Sequence, residues 1–345
     1  MMKFLVSASL FLLLACQPQP KETKRDTFVP YQKIQGQTMG TIVYNVTYAG
    51  RANHKADVDS LLQEINNEVS TYVPTASISR FNQSKDGIEM ENINQRHFLK
   101  NISIAKQVAT ETSHAFDPTV MPLVNYWGFG YTGKEAVTAV DRAKIDSLLQ
   151  YVGIKKISIG KKKISKKSAG VQLDFSASAK GYAIDEVGRL LEQKGVFDYM
   201  IEIGGEVRTR GKNQEGNLWR MGINTPKEGA KTSDLFAAIQ LDDQSIATSG
   251  NYRNYYTVAG VTYSHTINPT TGLPERTNLL SASIITKDCA YADAYATACM
   301  VMGLEKAKTW VNVMENVEAY FIYSDKNNEL QTYATEGIAE KVEQL

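Results

Sequence analysis

From Met200 to about Ser264 the chain reads as a run of short strands with no helical segment between them, while helical spacing dominates before and after it. This grouping constrains the fold more than any other feature. A doubly wound parallel sheet needs a crossover helix between successive strands, so clustered strands point to an α+β architecture. Thr41 to Tyr48 alternates apolar and polar residues and predicts a strand. Val58, Leu61, Leu62, Ile65 and Val69 recur at helical spacing within Asp57–Val69, and a loop carrying Pro74 leads to a second helix near Gln95–Thr112. Ile145, Leu148, Leu149 and Val152 predict a helix over Asp141–Val152. Ala179–Lys194 reads as a helix stopped by Gly195, and a final helix covers roughly Asp288–Val301. Seven lysines fall between Lys155 and Lys167, but the interleaved Ile157, Ile159 and Ile164 fit an exposed hairpin better than an anion site. No repeat and no long internal linker appears. The expectation is one compact, mixed domain with two lobes over residues 34–345.

The N-terminus reads as an address. Lys3 precedes twelve uncharged residues, Phe4 to Ala15, and then Cys16. Twelve residues are too few to cross a hydrocarbon core, which needs roughly twenty, yet they suit the apolar core of a signal peptide. Leu13-Leu14-Ala15-Cys16 resembles a bacterial lipobox, a small residue preceding the cysteine to be lipidated. A plain signal peptide or an N-terminal strand is the alternative. Residues 1–15 are thus expected to be a lipoprotein signal peptide. Residues 16–33, polar and proline-containing, would form a flexible tether to the membrane.

Charge and cysteine content exclude several function classes. The 345 residues carry 38 Lys and Arg against 37 Asp and Glu, so no overall basic balance favours nucleic acid. Three cysteines without a CxxC pair do not make a zinc finger, a ferredoxin cluster or a disulfide scaffold. Cys289 and Cys299 stand ten apart in a segment expected to be helical. Ten helical residues span about 15 Å, whereas bridged Cα atoms lie within about 7 Å, so two buried thiols are expected.

Polar residues in unusual company form short blocks. Ala115-Phe116-Asp117-Pro118-Thr119 follows a helix in a turn-forming context. Asp174 lies six residues before Lys180, joined by small residues that open a helix; such an opening can face phosphate, although a helix cap and a surface lysine would look the same. Gly204-Gly205-Glu206 follows a strand and fits either a tight β-turn or a close approach to a ligand. Thr248-Ser249-Gly250-Asn251-Tyr252 and His265 through Gly272 are dense in donors and turn formers. Asp293 and Thr297 are four apart on the last predicted helix, so both project from one face. Each block alone has a plainer structural reading.

Their order carries more. Met39-Gly40-Thr41, Ser70-Thr71-Tyr72 with Pro74, Ser79-Arg80-Phe81-Asn82, Ala115 through Thr119, and Trp127-Gly128-Phe129-Gly130 come first. Leu173-Asp174, Lys180-Gly181-Tyr182-Ala183 with Asp185, Gly204-Gly205, Thr248 through Gly250 with Tyr252, His265 with Pro269, Thr271 and Gly272, and Asp293 with Thr297 follow. Together, over about residues 34–305, the series resembles the ApbE family of FAD:protein FMN transferases. Departures are few: Ser113-His114 stands where the family often has two glycines. Glu206, Asn251 and Asn268 stand where aspartate is common, and Ser178 where an aliphatic residue is usual.

The resemblance implies an enzyme that moves FMN from FAD to a threonine hydroxyl of an acceptor flavoprotein subunit in a membrane redox complex, releasing AMP. Magnesium would be the cofactor and FAD a substrate. It implies FAD contacts at Met39, Tyr72, Ala115, Phe116, Asp117, Asp174, Lys180 and His265, with His265 the candidate base. Magnesium would be held by the Ala177 carbonyl, Asp293 and Thr297. It implies lipidation of Cys16 and a place on the periplasm-facing membrane surface of a bacterial envelope. Two other readings stay open: magnesium-dependent FAD hydrolysis to FMN and AMP, and a non-catalytic FAD-binding lipoprotein.

Overall fold

The computed structural model describes residues 29–90, 95–131, 137, 139–227, 229–231, 233–251, 255–258, 261–275 and 277–345. The leader, Cys16, most of the 16–33 tether and Tyr252 lie outside the described residues. The first strands are β1 (Tyr31–Thr38), β2 (Ile42–Ala49), β3 (Gly87–Glu89), β4 (Ile157–Ile159) and β5 (Lys163–Lys166). Then come β6 (Tyr199–Ile203), β7 (Glu206–Arg210), β8 (Trp219–Asn224), β9 (Leu235–Leu241) and β10 (Ser245–Gly250). The chain continues with β11 (Tyr255–Val258), β12 (Val261–Ser264), β13 (Leu279–Thr286), β14 (Glu318–Ser324), β15 (Leu330–Ala334) and β16 (Val342–Gln344). The longer helices are α1 (Lys55–Val69), α3 (Arg96–Glu111), α6 (Ala179–Gln193) and α7 (Cys289–Met302). Shorter ones are α2 (Ser77–Gln83), α4 (Met121–Tyr126), α5 (Arg142–Leu149), α8 (Leu304–Val311) and α9 (Glu336–Ala339).

The central sheet has eight strands in the order β1-β2-β6-β7-β10-β13-β14-β15, and every neighbouring pair is antiparallel. This is the α+β arrangement that the clustered strands predict. Alternation along each strand sends residues to two different cores. Ala247, Ala282, Ile284, Ala319 and Phe321 meet α1, α3, α6 and α7 in the main core. Their neighbours Ile246, Ile285, Tyr320 and Ile322 point the other way, against Ile223, Ile239 and Leu241 of a small sheet ordered β16-β9-β8. A third cluster of Leu123, Trp127, Ile145, Val152 and Ile267 makes a separate lobe from α4, α5 and the loop after β12.

Several expectations change in detail. β1 opens at Tyr31, inside the stretch read as tether, because Tyr31–Thr38 pairs residue for residue with β2. The lysine-rich segment is an antiparallel hairpin, but it is not exposed on both faces. Ile157 and Ile164 are buried and, of the three isoleucines, only Ile159 faces water, because the other two join the main core that holds Phe81 and Phe98. The helix Cys289–Met302 is not the last, since Gly303, at φ 74°, turns the chain into α8. The Pro74 loop leads straight into α2, whose seven residues are too few to show a periodic stripe. Both cysteines are free and buried. No described helix is long and apolar enough to cross a membrane.

Candidate active site

A cleft of about 350 Å³ opens where α6 and α7 meet the ends of β7 and β10. Its geometry starts from one glycine. A Cβ on Gly181 would lie 2.3 Å from the Cys289 carbonyl oxygen, so only glycine lets α6 approach the start of α7 so closely. No side chain of α7's own cap position bonds its first N–H groups. Asp185, one turn beyond Gly181, replaces that cap by accepting from the N–H groups of Cys289 and Ala290, each at 2.9 Å. Arg208 Nη1 donates to the same carboxylate at 2.8 Å. Burial pushes the Asp185 carboxyl up to about 6, and Arg208 opposes the shift.

With α7 pinned, Asp293 faces Lys180. The Gly181 N–H donates to Asp293 Oδ2 at 3.2 Å, and Lys180 Nζ lies 3.5 Å from Asp293 Oδ1 and 3.6 Å from Glu206 Oε1. Desolvation opposes the lysine's charge, but the two carboxylates outweigh it and hold the ammonium protonated. Burial pushes the Glu206 carboxyl up to about 8 despite Lys180, and Oε2 has no hydrogen-bond partner among the described residues. Glu206 reaches the cleft through the β6–β7 turn, where Gly204 and Gly205 adopt φ of 63° and 103° as a two-residue hairpin requires. One turn along α7, Thr297 Oγ1 meets Ser249 Oγ of β10 at 3.2 Å.

The facing wall is made of loops. α3 ends with Ser113 and His114 both left-handed, at φ 50° and 65°, which swings Ala115-Phe116-Asp117 towards the cleft. Asp117 is committed internally: it accepts from Thr119 N–H and Thr119 Oγ1, and from Ile154 N–H at 2.8 Å. Asp174 accepts from the Ser176 N–H at 2.9 Å and hydroxyl at 2.8 Å, which shapes the turn into α6. The strand-like segment before it is clamped by Asn82, whose amide exchanges two hydrogen bonds with the backbone of Leu173 at 2.7 and 2.8 Å. Lys166 supports that clamp by donating to the carbonyls of Asn82, Ala169 and Val171, and burial lowers its ammonium to about 8. His265, exposed on the loop after β12, sits edge-on to Phe129.

Nine of the FAD and magnesium positions that the family resemblance implies line this one cleft: Ala115, Phe116, Asp117, Asp174, Ala177, Lys180, His265, Asp293 and Thr297. Two stand outside its lining. Met39 turns the chain between β1 and β2 at φ 47° and packs on the main core, while Tyr72 is 73% exposed and edge-on to Tyr131. Cys16 lies outside the described residues. Sequence reasoning passed over Asn224 and Gly222, which enter the cleft from β8 and stand in no polar motif, and gave Glu206 and Ser249 no role. Among the described residues, no three His, Cys, Asp or Glu side chains cluster to hold a metal. What the cleft presents is one lysine, carboxylates, hydroxyls and glycine backbone, suited to a polar, phosphate-bearing ligand.

The ApbE family model matches residues 39–321. The chain belongs to the ApbE family. It is 36% identical over 305 residues to a Vibrio cholerae protein named FAD:protein FMN transferase, covering 87% of each chain. An Escherichia coli protein of the same name is 31% identical, with 92% of this chain and 91% of that one covered. Among solved structures, the flavin transferase ApbE from Vibrio cholerae superposes with a TM-score of 0.78 at 32% identity, covering 89% of this chain and 98% of that one. The apo flavinyl transferase ApbE of Pseudomonas stutzeri gives 0.77 at 30% identity, covering 91% and 97%.

Proposed function

We propose that the protein is an FAD:protein FMN transferase that uses a threonine hydroxyl as acceptor. The observation that carries this reading is the convergence, in an ApbE-family chain, of motif residues from four separate stretches of sequence on one polar cleft. The hydroxyl oxygen attacks the flavin-side phosphorus, the bond to the bridging oxygen breaks, and AMP leaves. The chain's tasks are to hold the pyrophosphate, orient the hydroxyl and take its proton. Lys180 offers a held positive charge to phosphate. His265 receives the proton, since imidazole titrates nearest neutrality.

The donor chemistry around Asp293 suits magnesium: a carboxylate, the Thr297 hydroxyl and the Ala177 carbonyl are all hard oxygens, and Glu206 Oε2, without a hydrogen-bond partner among the described residues, is a further oxygen of the same cleft. A magnesium ion bound there would supply Lewis-acid stabilisation of the departing phosphate. Incubating the mature protein with FAD, magnesium and a threonine-bearing flavoprotein-subunit domain tests the reading. Flavin fluorescence on the acceptor in a denaturing gel is the expected result. Free FMN with AMP would indicate a hydrolase, and unchanged FAD a binding protein.

Lipidation of Cys16 would place the enzyme on the periplasm-facing membrane surface, beside acceptor subunits of membrane redox complexes. The support is the lipobox-like Leu13-Leu14-Ala15-Cys16 and the polar tether after it. Cys16→Ser should release the protein from the membrane fraction. Retention after a carbonate wash would overturn the anchor.

A further inference from the structure

Beside the cleft runs a second groove of about 540 Å³, from Ser113 and Ala115 past Asn268 and Thr270 to Trp310 and Val313. The two hollows share a wall. Ala115 lines both, and Pro269, between Asn268 and Thr270, faces the cleft. Both banks of the groove carry side chains tied down by internal contacts. Trp310 Nε1 donates to the Glu111 carbonyl at 2.9 Å, and its ring packs against Tyr295 with centroids 5.0 Å apart. Asn268 Oδ1 accepts from the N–H groups of Thr270 and Thr271, which fixes the loop on the opposite bank. Val313 nonetheless leaves 76% of its surface in water at the groove's far end.

The lining chemistry selects the occupant. Glu305 and Lys306 put opposite charges on one rim, so there is no concentrated positive field for a second phosphate ligand. Apolar Met302, Trp310 and Val313, with hydroxyls from Ser113, Thr270 and Thr309, suit a neutral extended peptide, which needs both side-chain cover and main-chain partners. A protein acceptor must bring residues on either side of its hydroxyl across the rim of the cleft. At about 3.3 Å per extended residue, a segment of a few residues crosses the shared wall.

We propose that this groove seats the acceptor segment flanking the reactive threonine, with an apolar side chain covering Trp310 and Val313. The inference rests on the transferase reading and names the surface that recognises its protein substrate. Pre-ordering of Trp310 and of the Asn268 turn reduces the entropy lost on docking.

The test uses the full mature chain and two forms of one threonine-bearing flavoprotein-subunit domain. With the reactive form, Val313→Glu should raise the acceptor KM about tenfold, equivalent to about 1.4 kcal/mol. Val313→Leu should stay near wild type, and kcat at saturating acceptor and FAD affinity should not move. The second form carries valine at the acceptor threonine and reports binding without turnover. It should bind the unmodified protein and bind Val313→Glu weakly. Equal binding and equal KM for both proteins would overturn the groove while leaving the transferase intact. A loss of FAD affinity in Val313→Glu would also overturn it, by assigning the groove to the nucleotide. Binding without any transfer would fail the transferase reading and keep the docking surface.

Discussion

On the face of the central sheet covered by the small sheet, Val207, Ile246, Ile285 and Ile322 pack against Ile223, Ile239 and Leu241 in a layer of almost wholly apolar side chains. On the opposite face, within the larger helix-covered core, α6 and α7 bury Asp185 and Asp293, with Lys180 of α6 and Arg208 of β7 beside them. Both faces are buried, yet their energetics differ in kind. Apolar contact is favourable by roughly 25 cal/mol per Å² and needs no partner, whereas a buried ion pair roughly breaks even against a hydrophobic pair of the same shape. Apolar packing holds the sheet on both faces, against the small sheet on one side and the helices on the other. The charged groups set into the helix face add little to that stability, and Lys180, Glu206 and Asp293 among them line the cleft.

The largest expected effect is on the charged side. Asp293→Ala removes the only charged protein oxygen assigned to magnesium, and should lower magnesium affinity and abolish transfer. Equal turnover across a magnesium titration would break the assignment. Next comes His265→Ala, which should keep FAD affinity because most cleft contacts come from other residues, yet lose about 10²–10⁴-fold in single-turnover transfer. Normal transfer at saturating FAD would remove His265 from the chemistry.

The apolar side should behave the opposite way. Ile239→Ala leaves a hole between the sheets and should cost about 2–5 kcal/mol of stability by denaturant unfolding, with transfer per folded molecule unchanged. A parallel fall in kcat would show that the two faces are not separable.

The smallest change at neutral pH concerns Lys166. Its folded value, about 8, is depressed from 10.5, so below pH 8 folded and unfolded states both carry the proton and stability has no slope from this group. Between about pH 8 and 10.5 the unfolded chain binds more protons, and stability should rise with pH. Lys166→Met should remove that rise. An identical alkaline slope in the variant would mean that burial does not depress the Lys166 ammonium in the folded state.

What could be read from sequence divides along physical lines. The strand cluster and the periodic helices were legible because their signals are local: α1, α3, α6 and α7 fall within a few residues of their expected bounds. Short α2 and α4 were not, since seven and six residues carry no period and tertiary contacts decide them. The burial of Ile157 and Ile164 depends on a main core that brings in Phe81 and Phe98 from far earlier in the chain, which no local pattern reveals. In the site, Asp293 with Thr297 and Asp174 with Lys180 stood out as spaced pairs. Asp117 looked equally polar in sequence, but its carboxylate is taken up by Thr119 and Ile154. Asn224 had no signal, because only the small sheet folded over the central one brings it to the cleft.

The two cysteines of the folded domain give that packing a chemical consequence. Cys289 and Cys299 are wholly enclosed around α7, and burial pushes both thiols upward, away from the reactive thiolate. Oxidants and disulfide partners act on thiolate that they can reach, and here neither the charge state nor the access is provided. These two thiols are therefore shielded from oxidants while the domain stays folded. Both sulfurs stay single, so no bridge between them holds the fold, and neither is exposed to be trapped in a wrong one.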